Sequence, residues 1–157
     1  LRDLGAPLSP FNAFQLIQGL ETVGLRMKQH CSNAEKVVSF LETQKKVTNV
    51  IYPTNHQGEI KERAKKYMKG GYGSLVGMDV GTKEAGAKFI DNLKMLYHVA
   101  NIGDARSLAI HPATTTHSQL DDQALAAAGV TPGYVRLSIG IEHPDDIIAD
   151  IKQALAA

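Results

Sequence analysis

A stripe of apolar residues at helical spacing near the start of this 157-residue chain constrains its fold more than any other feature. Neighbours in the stripe are three or four residues apart, the spacing of one face of an α-helix. Ser9 and Pro10 precede it, and these residue types are typical of a helix cap and a first helical turn. We therefore predict one long amphipathic helix, bent near residues 31–33, whose stripe comprises Leu16, Leu20, Val23, Met27, Cys31, Ala34, Val38 and Leu41. So small a domain cannot cover a helix of this length, so we expect part of its face to pack on something outside the chain.

Short strand-like and helix-like segments alternate through the rest of the chain. Turn and cap residues mark their ends, among them Pro53 after the first strand, Thr82 before a helix and Gly129 after a short one. This order predicts an α+β fold in which a small, largely antiparallel sheet is covered by helices on one side. Residues 1–45 would form the long helical region, and residues 46–157 an α+β sandwich. The predicted strands are 47–52, 74–80, 97–101, 107–110 and 135–139, and the later helices are 60–68, 82–93, 121–128 and one that opens at Pro144.

Composition excludes several classes of function. With 43% apolar residues, 21% charged residues and a net charge of +1, the chain is an ordinary globular domain without the basic surface that nucleic acid requires. A membrane span needs about 18 to 20 apolar residues, and neither such a run nor a leader is present, so we expect a cytoplasmic protein with no membrane partner. The single cysteine, Cys31, excludes an internal disulfide and fits a core position. Because Leu1 is not an initiator methionine, we expect this to be a piece of something longer.

Arg136 is the strongest candidate for a binding residue. It interrupts an otherwise apolar strand-like run, Tyr134 to Ile139, and an unpaired guanidinium is costly to bury. The planar fork of arginine matches a carboxylate or a phosphate through two charge-assisted hydrogen bonds. An internal ion pair is the alternative, and the acids available to it are Asp104, Glu142 and Asp145.

Two further segments carry polar side chains that could contact a ligand. Asn101 begins an Asn-Ile-Gly-Asp turn after a predicted strand, where its amide could meet a ligand or could close an Asx-turn. His111 and His117 are six residues apart with three threonines between them, which is not the spacing of a helical metal pair, so we predict no metal site. We expect these threonines to hydrogen-bond a loop or a substrate and the histidines to orient that loop.

The remaining motifs do not indicate catalysis. Gly70, Gly71 and Gly73 lack the spacing of a dinucleotide fingerprint and precede a predicted strand, so we interpret them as turn residues. No serine, histidine and acid are arranged as a catalytic triad. The residues therefore predict anion binding without a nucleophile or base of the chain's own.

Three segments, LSPFNAFQLIQGLETVGLRMKQHCSNAEKVVSFLE (8–42), NIGDARSLAIHPATTTHSQL (101–120) and AGVTPGYVRLSIGIEHPDDIIADI (128–151), resemble the C-terminal third of the Cys/Met-metabolism enzymes that depend on pyridoxal phosphate. The resemblance implies the small C-terminal domain of a fold-type I pyridoxal-phosphate enzyme. It also implies that Arg136 binds the α-carboxylate of an amino-acid substrate. Asn101 would assist it, at a position that is serine in many members, and Thr116 matches a threonine near the same site.

The resemblance also implies what lies outside this chain. The Schiff-base lysine and most cofactor contacts of the family belong to a preceding large domain, so the fragment alone would be inactive and contain no catalytic residue. Asn101 favours the O-acetylhomoserine sulfhydrylase branch, and methionine γ-lyase and cystathionine γ-synthase are the alternatives within the family. Members are usually homodimers or homotetramers. A non-catalytic ligand-binding or interaction domain is the alternative from another class.

Overall fold

The computed structural model describes residues 3–157, so Leu1 and Arg2, the start of the predicted helical region, lie outside the described residues. Two helices, α1 (Pro10–Glu21) and α2 (Val23–Leu41), stand in place of the one long helix. The helical region is interrupted at Thr22, whereas α2 runs without a break through residues 31–33, where the sequence predicts a bend. Arg26 holds the break at Thr22, since its guanidinium donates to the Gly19 carbonyl at 2.5 Å and to the Thr22 hydroxyl at 3.3 Å.

Within residues 3–157, five strands form one sheet in the order β1-β2-β5-β4-β3, which places the fifth strand at the centre. The β1–β2, β2–β5 and β4–β5 pairs are antiparallel and only the β3–β4 pair is parallel, so the prediction of a largely antiparallel sheet is confirmed. Four of the strands are shorter than the predicted segments, and the last has the predicted length but begins one residue earlier. The strands are β1 (Asn49–Ile51), β2 (Leu75–Asp79), β3 (Tyr97–His98), β4 (Leu108–Ile110) and β5 (Tyr134–Ser138).

Two of the later helices begin at side-chain oxygen caps, and the sequence indicates the first of these, Thr82. The Thr82 hydroxyl accepts a hydrogen bond from the Ala85 N–H at 3.1 Å, and the Asp121 carboxylate accepts one from the Ala124 N–H at 2.8 Å. A 3₁₀ turn, Pro112–Thr114, was not predicted. The helices are α3 (Gly58–Tyr67), α4 (Lys83–Asn92), α5 (Asp122–Ala127) and α6 (Pro144–Ala156).

The core lies between the sheet and three of the helices. Alternate residues of β5 and its extension, Val135, Leu137 and Ile139, are fully buried, while Tyr134 and Arg136 point to the other face. Full burial of an aliphatic side chain of this size contributes about 1.5–3 kcal/mol, so this layer drives folding. The helices α2, α4 and α6 complete it with Ala34, Val37, Val38, Leu41, Phe89, Ile90, Ile147, Ile151, Ala154 and Leu155. These features confirm an α+β domain with helices on one side of the sheet.

Helix α1 leaves its apolar residues uncovered. It buries no residue within the described chain, and Phe11, Phe14 and Leu20 are 66%, 57% and 67% exposed. The expectation that this face packs on something outside the chain stays a prediction. None of the helices in residues 3–157 is both long enough and apolar enough to cross a membrane.

Candidate functional site

Arg136 lies at the middle of the central strand, on the sheet face that the helices leave open. Its neighbours across the sheet are Gly77 on β2 and Ile110 on β4. The side chain is half-buried, and its Nη2 atom donates a hydrogen bond to the Asn101 carbonyl oxygen at 3.3 Å. The Nε atom is buried and has no hydrogen-bond partner. A buried guanidinium N–H without an acceptor is costly, and the described residues supply no acceptor for this atom.

The three acids that could have neutralised Arg136 are engaged elsewhere. Glu142 accepts hydrogen bonds from the Ser107 N–H at 2.6 Å and the Ser107 hydroxyl at 2.9 Å. Asp104 accepts from the Arg106 N–H at 3.1 Å, and Asp145 lies 3.8 Å from His143. Within residues 3–157, Arg136 has no carboxylate partner, so the alternative of an internal ion pair is not supported.

Asn101 meets Arg136 through its backbone rather than through its amide. The exposed side-chain amide has no partner in the described part of the chain and stays available to a ligand. Gly103 supplies the turn with a φ of 74°, and its N–H lies 3.4 Å from the Ser138 hydroxyl, two residues along the strand from Arg136. The Asx-type contact of this turn belongs to Asp104 and not to Asn101.

A pocket of about 270 Å³ opens beside Arg136, toward the β1 edge of the sheet. Tyr134 lines it on the same strand, Ile51 and Leu75 form an aliphatic wall, and His56 lies at the loop side. Burial raises the pKa of the Tyr134 phenol, and the positive charge of Arg136 opposes that shift only in part. Reasoning from the sequence missed this pocket, and its one local signal was Gly77, a glycine inside a strand.

The segment after β4 is shaped by histidine contacts. His111 is fully buried, with Nδ1 2.9 Å from the Thr114 hydroxyl and Nε2 2.7 Å from the Pro132 carbonyl oxygen. The exposed Thr116 hydroxyl pairs with His117 Nδ1 at 2.8 Å, and no hydrogen bond joins it to Arg136 or Asn101. In the described chain, no three His, Cys, Asp or Glu side chains are grouped to hold a metal ion. The structure thus brings Arg136 and Asn101 into contact and leaves Thr116 on the loop.

The residues present do not fit the lysine-bearing end of a pyridoxal-phosphate site. Every lysine among the described residues is exposed or half-buried, and none lines the pocket at Arg136. Gly71 of the glycine-rich turn packs against the buried Cys31, because a Cβ on Gly71 would lie 2.7 Å from the Cys31 sulfur. Cys31 itself is buried, as predicted. What remains is an unpaired arginine on an open sheet face, which fits the substrate end of such a site.

Comparison with known proteins places these residues in a family. The model for Cys/Met metabolism PLP-dependent enzymes matches residues 1–156. The O-acetyl-L-homoserine sulfhydrylase of Leptospira meyeri is 51% identical over 157 residues, which cover 99% of this chain and 36% of that protein. O-acetyl-L-homoserine sulfhydrylase 1 of Thermus thermophilus is 45% identical over 157 residues, which cover 99% of this chain and 37% of that protein.

A solved structure agrees with this match in three dimensions. The 2.35 Å crystal structure assigned to an O-acetylhomoserine (thiol)-lyase of Campylobacter jejuni superposes with a TM-score of 0.88 and 44% identity. The superposition covers 99% of this chain and 37% of that one, which carries a pyridoxyl-lysine group. The chain therefore spans little more than a third of the length of these relatives, and corresponds to their C-terminal portion. By sequence and by fold, it belongs to the pyridoxal-phosphate-dependent enzymes of Cys/Met metabolism.

Proposed function

We propose that this chain is the substrate-carboxylate-binding C-terminal domain of an O-acetylhomoserine sulfhydrylase. The whole enzyme would convert O-acetyl-L-homoserine and sulfide into L-homocysteine and acetate, a step of methionine biosynthesis. The observation that carries the proposal is the unpaired guanidinium of Arg136, whose Nε is buried without an acceptor. The names of the relatives at 45% and 51% identity support the choice of this reaction within the family.

Arg136 would bind the α-carboxylate of the substrate and so set its orientation. A guanidinium can donate two parallel hydrogen bonds to a carboxylate, which restrains both the position and the rotation of the bound group. The Asn101 carbonyl accepts a hydrogen bond from the guanidinium, and the amide of Asn101, which has no partner within residues 3–157, would donate to the same carboxylate. Thr116 would contribute its hydroxyl from the loop after β4. These residues position the substrate, and such positioning lowers the entropic part of the barrier.

The catalytic groups would lie in the remainder of the enzyme. Pyridoxal phosphate, bound mainly by a preceding domain that carries the Schiff-base lysine, supplies the electron sink for carbanion chemistry. Residues 1–45 would connect that domain to the α+β sandwich of residues 46–157. The uncovered apolar residues of α1 support such a neighbour. The proposal includes a cytoplasmic homo-oligomer, with the fragment alone inactive.

Replacing Arg136 with lysine in the full-length enzyme tests this proposal. An ammonium group cannot reproduce the two-point grip of the guanidinium, so KM for O-acetyl-L-homoserine should rise about 10- to 100-fold. The matched control is Arg63→Lys, because Arg63 is exposed on α3 and pairs only with Glu59. An unchanged KM in Arg136→Lys would remove Arg136 from the substrate site.

Product assays separate the alternative reactions. With sulfide as nucleophile we expect homocysteine, whereas cystathionine γ-synthase would form cystathionine from cysteine. Methionine γ-lyase would instead release an α-keto acid. Cystathionine or α-keto acid as the main product would assign the chain to one of those enzymes. No turnover of the full-length protein with any of these substrates would favour a non-catalytic binding domain.

A further inference from the structure

The pocket beside Arg136 contains a second hydrogen-bond donor whose position depends on a glycine. Gly77 lies directly opposite Arg136 in the β2–β5 register. Its φ is not positive, so the backbone at this position does not itself require glycine. A side chain is nevertheless excluded, because a Cβ would lie 2.7 Å from Tyr134 Cε2 and 3.1 Å from Ile51 Cβ. The missing side chain makes room for the Tyr134 ring.

The Tyr134 hydroxyl therefore lies close to the pair of facing residues, Gly77 and Arg136. It lies 3.0 Å from where the Cβ of residue 77 would stand, and directly paired residues of neighbouring strands are about 4.5–5.5 Å apart. The hydroxyl makes no hydrogen bond within residues 3–157, and it is not fully buried. Because Tyr134 lines the pocket, its hydroxyl can donate a hydrogen bond to a ligand bound there.

We propose that the Tyr134 hydroxyl donates a hydrogen bond to the substrate carboxylate that Arg136 binds, with Gly77 as the residue that allows it to reach. This inference rests on the proposed function of Arg136. A carboxylate has about four lone-pair positions, so it can accept from a phenol in addition to a guanidinium fork. A phenol with the ordinary pKa of about 10 keeps its proton at neutral pH, and burial raises the pKa of Tyr134 further, so its hydroxyl can act as a donor. Tyr134 is thus a substrate-positioning residue.

The test compares Tyr134→Phe with Arg136→Lys in the full-length enzyme loaded with pyridoxal phosphate. The probes are L-norvaline, an amino acid without a leaving group, and its carboxamide, which lacks the carboxylate charge. Binding is followed through the absorbance of the cofactor. Loss of one hydrogen bond to a charged group predicts that Tyr134→Phe raises the Kd of L-norvaline about 10-fold or more. The Kd of the carboxamide should change less than about 3-fold, because a neutral acceptor forms a weaker hydrogen bond.

Two further variants test the geometry. Gly77→Ala should weaken L-norvaline binding in the same direction as Tyr134→Phe, because the added methyl group displaces the ring. Tyr67→Phe is the matched control, since this tyrosine is 71% exposed on α3, and it should leave both Kd values unchanged. The thermal midpoint of Tyr134→Phe should stay at that of the parent, because the ring and its packing are retained.

The outcomes distinguish this inference from the proposed function. If Arg136→Lys weakens L-norvaline strongly and Tyr134→Phe does not, the role of Tyr134 is wrong and that of Arg136 stands. Equal weakening of the acid and the carboxamide by Tyr134→Phe would also overturn the carboxylate contact. An unchanged Kd in Arg136→Lys would overturn the proposed role of Arg136, and with it this inference.

Discussion

Asp150 on α6 holds the segment between α4 and β3, and its replacement by asparagine tests how strongly this contact stabilises the domain. The buried carboxylate accepts hydrogen bonds from three successive N–H groups, those of Lys94 at 2.9 Å, Met95 at 2.9 Å and Leu96 at 3.0 Å. Gln153 donates a fourth at 3.0 Å. The two carboxylate oxygens share these donors equally, so whichever way an asparagine amide is turned, its NH₂ faces two donors.

The expected loss follows from that count. Two charge-assisted hydrogen bonds disappear, each with a net value of about 1.5–3 kcal/mol, and two buried donors are left unpaired. We expect Asp150→Asn to lower the free energy of unfolding by about 3 kcal/mol, the lower end of the sum, because local relaxation recovers part of the loss. For a chain of this length, that corresponds to about 6–12 °C in the thermal midpoint.

Urea unfolding of the chain and of Asp150→Asn, followed by circular dichroism, measures this difference. The matched control is Asp146→Asn on the same helix, an exposed first-turn acid whose loss should cost about 0.3–1 kcal/mol.

Hydrogen bonds from the three backbone donors lower the pKa of Asp150 below its usual 3.8, against the opposing effect of burial. The stabilisation is therefore complete above about pH 4 and is lost as the pH falls through the lowered native pKa. Equal midpoints and slopes for Asp150→Asn and the parent at pH 7 would refute the reasoning.

Two substitutions test the packing around the site. Gly86→Ala should lower the thermal midpoint by the equivalent of about 1–3 kcal/mol, because its Cβ would collide with Nε2 of the buried His111 ring and lie 2.7 Å from Cδ2. The control Gly24→Ala replaces a helical glycine with open space around it and should be neutral or stabilising. A neutral Gly86→Ala would contradict the contact. Asn33→Ala should cost about 2 kcal/mol in urea unfolding, because the buried amide donates to two carbonyl oxygens of the 140–142 turn at 3.0 and 2.8 Å. A cost below about 0.5 kcal/mol would show that water replaces the amide.

Features of the chain with local causes were predictable from the sequence. The helix that opens after Thr82 was predicted because the cap uses a side chain and an N–H only three residues apart. The early part of the apolar stripe also lies in a helix, α1, as its spacing predicts. The break at Thr22 was missed, because it depends on Arg26 reaching back to the Gly19 carbonyl, a contact with no periodic signature. Predicted strands ran past their paired residues, because apolar runs do not show where a partner strand ends.

The candidate site divides in the same way. The sequence by itself marked Arg136 as an arginine in need of an anion, since a charged residue inside an apolar strand has no other satisfactory environment. It also placed Asn101 near a turn. The tertiary structure decided that the carbonyl of Asn101 contacts the guanidinium and that Glu142 is already hydrogen-bonded to Ser107. Both contacts join residues 35 positions apart in the sequence.

The sequence thus determined the order of the elements, the apolar faces and the arginine that we propose as the anion-binding residue, because helix and strand periodicity and the cost of burying charge act locally. Only the tertiary structure decided that the last strand inserts between β2 and β4. That insertion sets Gly77 opposite Arg136 and brings the Tyr134 ring over Gly77. Strand order depends on how the helices and the sheet bury their apolar surfaces together, a balance over the whole domain that no segment encodes alone.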